Sequence, residues 1–328
     1  MQTLRLFTSL DISRRIAERV REISPDIEIW SPREDGTLPP QADETDIVYF
    51  SEEFWTPDFY KGLLPRMVAF PRLRWMHLFT HGADHALLRA LVIDRHVKLT
   101  RSYNAMSPPM AQYVIAMLLR IAKRMDAWTV AQAESTWRPH ACDELTGRTL
   151  GIVGTGQIGV ETGRLAKAFN MRVLGYRRRD EVPPNFDAVF RPERLHELLS
   201  QCDYVLLALP LVKETVGIID AAAIAEMQPH AWLINVARGR LIDDAALLDA
   251  LRARRIAGAC LDAFAVEPLP PTSELWRMPN VIVTPHNSIG RSPLAVQRAI
   301  EAFLANLARY VLGDALLHEM NGTDFPDP

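Results

Sequence analysis

Leu150-Gly151-Ile152-Val153-Gly154-Thr155-Gly156-Gln157-Ile158-Gly159 reads as a short apolar strand, a glycine-rich turn and the first turn of a helix. In that context Gly154 permits a tight turn, Gly156 lets a pyrophosphate approach the backbone, and Gly159 lets the helix pack close to the strand. The helix start, at Gln157 and Ile158, would offer N–H groups and a favourable dipole to phosphate. Helical spacing continues through Ile158, Thr162, Leu165, Ala166 and Phe169, and a second strand follows at Arg172–Tyr176. The unit is therefore expected to bind a dinucleotide.

Eighteen residues beyond Gly159 comes Arg177-Arg178-Arg179, where an acid usually accepts from the ribose hydroxyls of NAD. A guanidinium cannot accept, but it can donate to a phosphate in a fork. The expected cofactor is NADP(H), clamped by Arg177 and Arg178, with NAD(H) possible. The competing reading is a solvated basic loop.

A chain of 328 residues predicts two domains, and 48% apolar residues suffice for two cores. A net charge of −3 gives no bulk attraction to nucleic acid. No apolar run approaches a membrane span, and the N-terminus reads as a strand and helix start rather than a signal peptide. Cys142, Cys202 and Cys260 are odd in number and far apart, which fits thiols rather than disulfides or metal ligands. A cytoplasmic protein without a metal site is expected.

Strand and helix signals alternate over the first hundred residues, at 4–7, 12–23, 27–30, 47–50, 75–79 and 97–99, predicting a parallel sheet of about five strands. Ser107-Pro108-Pro109 signals a helix start. From Leu150, strands at 149–153, 172–176, 204–208, 231–236, 258–262 and 281–284 match two mononucleotide-binding halves. A last helix, 293–312, has no strand after it, and packing back on the first block would bury its apolar face.

Three segments end strands of the second block: Ile234-Asn235-Val236-Ala237-Arg238-Gly239, Leu261-Asp262-Ala263-Phe264-Ala265-Val266-Glu267-Pro268 and Thr284-Pro285-His286-Asn287. In open α/β sheets, ligands bind at the carboxyl ends of strands. An arginine, a glutamate and a histidine thus reach one edge. Reduction of a 2-keto acid needs a cation to hold the carboxylate and polarise the keto oxygen. It needs a proton donor for that oxygen, and a carboxylate to orient the imidazole.

With these residues, the chain resembles the D-isomer-specific 2-hydroxyacid dehydrogenase family over nearly its whole length. The likeness is strongest from Gly151 to Gly290, and includes Ala257-Gly258-Ala259 and Glu267-Pro268-Leu269-Pro270. The arginines after the second cofactor strand and the Pro-Leu-Pro-Pro run are similar to the glyoxylate/hydroxypyruvate reductase branch. The resemblance implies that Arg238 binds the substrate carboxylate and keto oxygen, that His286 is the general acid and that Glu267 is its partner. It places Leu209, Pro210, Thr215, Val236, Ala237 and Asp262 along the cofactor, and His81 and Gly82 in a first-domain loop that receives the substrate.

The family also implies an α/β architecture of two doubly wound parallel-sheet domains. A Rossmann cofactor domain, 104–288, is inserted in a flavodoxin-like substrate domain built from 1–103 and 289–328. Homodimers joined through the cofactor domains are expected. So is an enzyme of 2-keto/2-hydroxy acid chemistry, D-specific and acting as a reductase. The sequence departs from the family at Gln112, where a glutamate is common, and at His81, which would narrow the pocket or bind a polar substrate tail. Side-chain selectivity is expected from His81, Tyr103, Trp137 and Ser288. The alternative is a dinucleotide-sensing binding protein or corepressor with a vestigial site.

Overall fold

The computed structural model describes residues 3–34, 36–55, 57–80, 85–290, 292–322 and 325. The chain divides into two compact units, 1–106 with 291–328, and 107–290. Both boundaries fall a few residues beyond those expected from the sequence.

The first unit holds β1 (Leu4–Phe7), β2 (Ile27–Trp30), β3 (Ile47–Phe50), β4 (Trp75–Leu78) and β5 (Lys98–Arg101). They pair in parallel in the order β2-β1-β3-β4-β5, the flavodoxin-like arrangement. Alternation along each strand sends Phe7, Val48, Phe50, Met76 and Leu78 to one face, against Phe54, Leu64, Met67 and Phe70. On the other face Tyr49 stacks on Phe303 of the last helix, Pro293–Leu312, with ring centroids 4.5 Å apart, and Trp75 stacks on Tyr310 at 5.2 Å. Burial on both faces is why the central strand β3, Ile-Val-Tyr-Phe, reads as a continuous apolar run. The last helix starts where Ser292 caps it, with Pro293 in its first turn, and stops at Gly313 in the left-handed region. Its return to the first sheet makes this unit discontinuous in sequence.

His77 lies on that second face, fully buried, as its place in an apolar strand suggests. Its Nδ1 is 2.7 Å from Thr100 Oγ1 and its Nε2 2.9 Å from Ser102 Oγ. Burial, with a smaller push from His318, lowers its pKa to about 3. The folded state therefore keeps His77 neutral at pH 5, where the unfolded chain protonates it. Stability conferred by the neutral form is complete above the unfolded value and declines as pH falls below it. Going from pH 7 to pH 5 should cost about 2 kcal/mol through this group. Urea unfolding of the wild type should show that loss, and His77→Gln should flatten it; equal slopes in both proteins would contradict the assignment.

The second unit holds β6 (Thr149–Val153), β7 (Arg172–Tyr176), β8 (Ala188–Phe190), β9 (Tyr204–Leu207), β10 (Trp232–Asn235), β11 (Gly258–Leu261) and β12 (Val281–Val283). All are parallel, in the order β12-β11-β10-β9-β6-β7-β8. The six expected strands are present, and β8 adds a seventh. The chain leaves β6 for β7 and β8 on one side, then crosses to β9 on the other. The switch point of a doubly wound sheet thus lies between β6 and β9. Because every strand runs the same way, the loops after β6, β7, β9, β10, β11 and β12 all emerge at one edge.

Cys202 and Cys260 are buried in this unit, their thiols pushed up to about 12 and about 11 by burial, and Cys142 is exposed. Among the described residues no helix is long and apolar enough to cross a membrane.

Candidate active site

The edge begins at the glycine turn. Gly154 has φ +110°, and a Cβ there would lie 2.6 Å from the Ala208 carbonyl. Only glycine fits a backbone so placed against the next strand's exit. The helix Gln157–Ala168 starts at Gly156, which carries no side chain to cap its first turn. Gly156 and Gln157 are exposed, Ile158 is half-buried, and Gly159 is buried against the turn. An open, uncapped helix start beside a turn that side chains would fill fits the pyrophosphate of a dinucleotide.

Arg177 leaves the end of β7, its backbone N–H bonded to the Phe190 carbonyl at the end of β8. One guanidinium N–H donates to the Glu181 carbonyl at 2.7 Å, which braces the side chain across its own loop. Arg191, just after β8, donates to the Arg178 carbonyl and pairs with Asp180 at 3.4 Å. This third arginine holds the loop's shape and was not marked by the sequence, because β8 itself is only three residues long.

After β9, Leu209 turns its side chain into the core, while Pro210 is exposed. Thr215 accepts from the Val212 N–H at 2.8 Å and lies 2.8 Å from the Pro210 carbonyl, which fixes this loop's curl.

After β10, Val236 is buried and Ala237 half-buried. Buried Asn235 shapes the turn, its Nδ2 donating to the Arg238 carbonyl at 2.9 Å and its Oδ1 accepting from the Ala237 N–H at 3.0 Å. Arg238 is extended and half-buried, with one guanidinium N–H on the Ala237 carbonyl. At Gly239 a Cβ would lie 1.9 Å from the Phe264 carbonyl carbon. Backbone thus rests on backbone, and this contact seats Arg238 beside the segment that carries Glu267.

Glu267 and His286 meet there. Glu267 Oε2 lies 2.8 Å from His286 Nδ1, and Glu267 Oε1 accepts from the Phe264 N–H at 2.9 Å. Both side chains remain open to solvent, at 41% for His286 and 37% for Glu267. Burial raises the Glu267 carboxyl, but the bonds from His286 and Phe264 and the charges of His286 and Arg238 outweigh it. The carboxyl is held below its ordinary range.

His286 itself stands at φ +50°, a conformation that costs a non-glycine residue about 1–3 kcal/mol. Asp262 holds it there. Fully buried, this residue accepts from Thr284 Oγ1 at 2.6 Å, from the Asn287 N–H at 2.9 Å and from the Ser288 N–H at 3.0 Å. Asp262, expected near the nicotinamide or the active-site edge, grips the turn on both sides of His286.

Of the other candidates, Ser288 is buried in that turn. Tyr103 lies in the first unit, its ring in contact with the Arg101 guanidinium and stacked with the His318 ring, and Trp137 is 97% exposed. His81 and Gly82 lie outside the described residues. Among the described residues, no cluster of three histidine, cysteine or acidic side chains could hold a metal ion.

The family model described as D-isomer specific 2-hydroxyacid dehydrogenase, NAD binding domain, matches residues 115–288. A glyoxylate reductase of Pyrococcus furiosus is 34% identical over 256 residues, covering 74% of this chain and 74% of that one. A crystal structure of a D-isomer specific 2-hydroxyacid dehydrogenase family protein from Aeromonas salmonicida aligns with a TM-score of 0.83 at 29% identity, over 98% of this chain and 100% of that one. Another, from Xanthobacter autotrophicus Py2 in complex with NADPH and MES, aligns with a TM-score of 0.79 at 29% identity, over 98% and 99% of the two chains. With the matched domain spanning more than half of its length, the chain belongs to the D-isomer specific 2-hydroxyacid dehydrogenase family.

Proposed function

We propose that this protein is an NADP(H)-dependent reductase of small 2-keto acids of the glyoxylate or hydroxypyruvate type, forming the D-2-hydroxy acid where the product is chiral. The observation that carries this reading is the Glu267–His286 pair at 2.8 Å, beside Arg238 and on the same sheet edge as the glycine turn. The name of the Pyrococcus relative and the NADPH in the Xanthobacter structure support the substrate class and the cofactor.

When bound, the nicotinamide supplies the hydride for the keto carbon. Arg238 forks onto the substrate carboxylate and keto oxygen, drawing electron density from the carbonyl. His286 gives the keto oxygen its proton from Nε2, since Nδ1 is engaged by Glu267. Glu267, kept a carboxylate well into acid, fixes the ring's orientation. Asp262 acts behind them, by holding the turn. Gly154, Gly156, Gln157, Ile158, Gly159, Leu209, Pro210, Thr215, Val236 and Ala237 line the cofactor in this reading. His81 and Gly82 receive substrate on the strength of the family resemblance alone. A cytoplasmic homodimer, taking no nucleic-acid or membrane partner, completes it.

Arg177 and Arg178 set the cofactor. A charge-assisted fork on a 2′-phosphate is worth about 1.5–3 kcal/mol, so kcat/KM should favour NADPH over NADH by about ten- to a hundredfold. Arg177→Asp should reverse that order, because the new acid repels the phosphate and accepts from a ribose hydroxyl. Steady-state rates on a panel of 2-keto acids, each with both cofactors, test the whole reading. Wild-type preference for NADH would overturn the cofactor assignment. No turnover of any 2-keto acid would favour a dinucleotide-sensing protein instead.

A further inference from the structure

We propose that Tyr113, on the helix Ser107–Lys123, is a positioning residue for His286, acting through a hydrogen-bond relay of Thr284 and Asp262. The inference rests on the role given to His286 above. The relay is read from one direction of proton donation. Thr284 has a single hydroxyl proton, and Asp262 Oδ1, 2.6 Å away, takes it. Tyr113 OH lies 2.6 Å from the same Thr284 oxygen, so the phenol must be the donor there.

Each group in the chain is thereby committed. Tyr113 orients Thr284, and Thr284 bonds to the carboxylate oxygen that also accepts from the Asn287 N–H. The second carboxylate oxygen accepts from the Ser288 N–H. These two amides directly follow the left-handed residue His286, and Thr284 precedes it by two; the backbone of His286 has no conformational preference for staying there. Burial pushes the Tyr113 phenol far above its ordinary range, so it remains a donor at every working pH. The Cys260 sulfur, 3.6 Å away, competes only weakly for its proton.

Without the phenol hydroxyl, Thr284 can swing off Asp262. The carboxylate then loses one of the three donors that fix its plane, and the turn's grip on His286 loosens. The imidazole would still be present, but its proton would be misaimed, and small misplacements of a reacting group cost rate steeply.

Tyr113→Phe keeps the ring and removes only the hydroxyl. Its kcat on the preferred 2-keto acid should fall about tenfold, with KM for NADPH within about twofold of wild type. Thr284→Val should fall similarly, Thr284→Ser should keep near-full activity, and the double variant Tyr113→Phe/Thr284→Val should be no slower than Thr284→Val alone. Amide hydrogen exchange in a peptide covering 284–290 should quicken in Tyr113→Phe. Unchanged kcat and exchange, or losses that multiply in the double variant, would overturn the relay. His286→Ala serves as the control. If it stays active, the role of His286 fails, and the relay is then judged on exchange alone: faster exchange upholds it, and unchanged exchange sinks it.

Discussion

His286→Ala is expected to lower kcat for 2-keto acid reduction by about 10³-fold, the scale of a positioned general acid. The substitution removes the imidazole that Glu267 holds at this edge through the 2.8 Å contact. Binding should change far less, because Arg238 and the glycine turn are untouched. The loss therefore belongs in kcat, with KM for NADPH near the wild-type value. Folding should not suffer, since the side chain is 41% exposed and alanine relieves none of the turn's hydrogen bonds, which run through the backbone of Asn287 and Ser288.

Glu267→Gln separates orientation from charge: the amide can still meet the ring, but it brings no negative charge, and an intermediate fall in kcat is expected. Measuring kcat and KM for both variants against wild type decides the point. A His286→Ala enzyme within tenfold of wild-type kcat would remove the histidine from the chemistry.

How much of this site could be read in advance follows from how local each part is. The glycine turn, with its strand and helix, occupies ten consecutive residues, so its pattern survives in the sequence without tertiary help. Arg238, Glu267 and His286 each follow an apolar parallel strand, and parallel pairing alone places strand exits on one edge. The terminal helix was legible because an amphipathic element with no strand after it must find cover. By contrast, β8 is an Ala-Val-Phe run behind Pro183-Pro184, too short to show a period. Asp262 reads as one more acid at a strand end, and only its three donors reveal that it holds the His286 turn. Tyr113 stands 171 residues from Thr284, and no spacing rule connects them. Arg177 was visible as a charge, whereas its brace on Glu181 and the support from Arg191 depend on how the loop closes.

Arg238→Ala should lower kcat/KM for the keto acid by about 10³-fold, divided between a higher KM and a lower kcat. The division follows from the two oxygens proposed for this side chain. Its hold on the substrate carboxylate is equal in the ground and transition states and sets KM. Its bond to the keto oxygen strengthens as that oxygen gains negative charge and sets kcat. The scaffold should survive, because the turn is built by backbone and Asn235, whose two side-chain bonds flank Arg238 without using its guanidinium.

Arg238→Lys keeps the charge but cannot fork, so it should recover only part of the loss. A second consequence distinguishes this arginine from a simple substrate clamp. Its charge is one of the influences that hold Glu267 below its ordinary range. Removing it lets Glu267 take up a proton at higher pH, so the acid limb of the kcat profile should move upward in Arg238→Ala. An alanine variant with unchanged KM and kcat would take Arg238 out of the site. A large loss of rate with no movement of the acid limb would keep it as a substrate ligand and deny its coupling to Glu267.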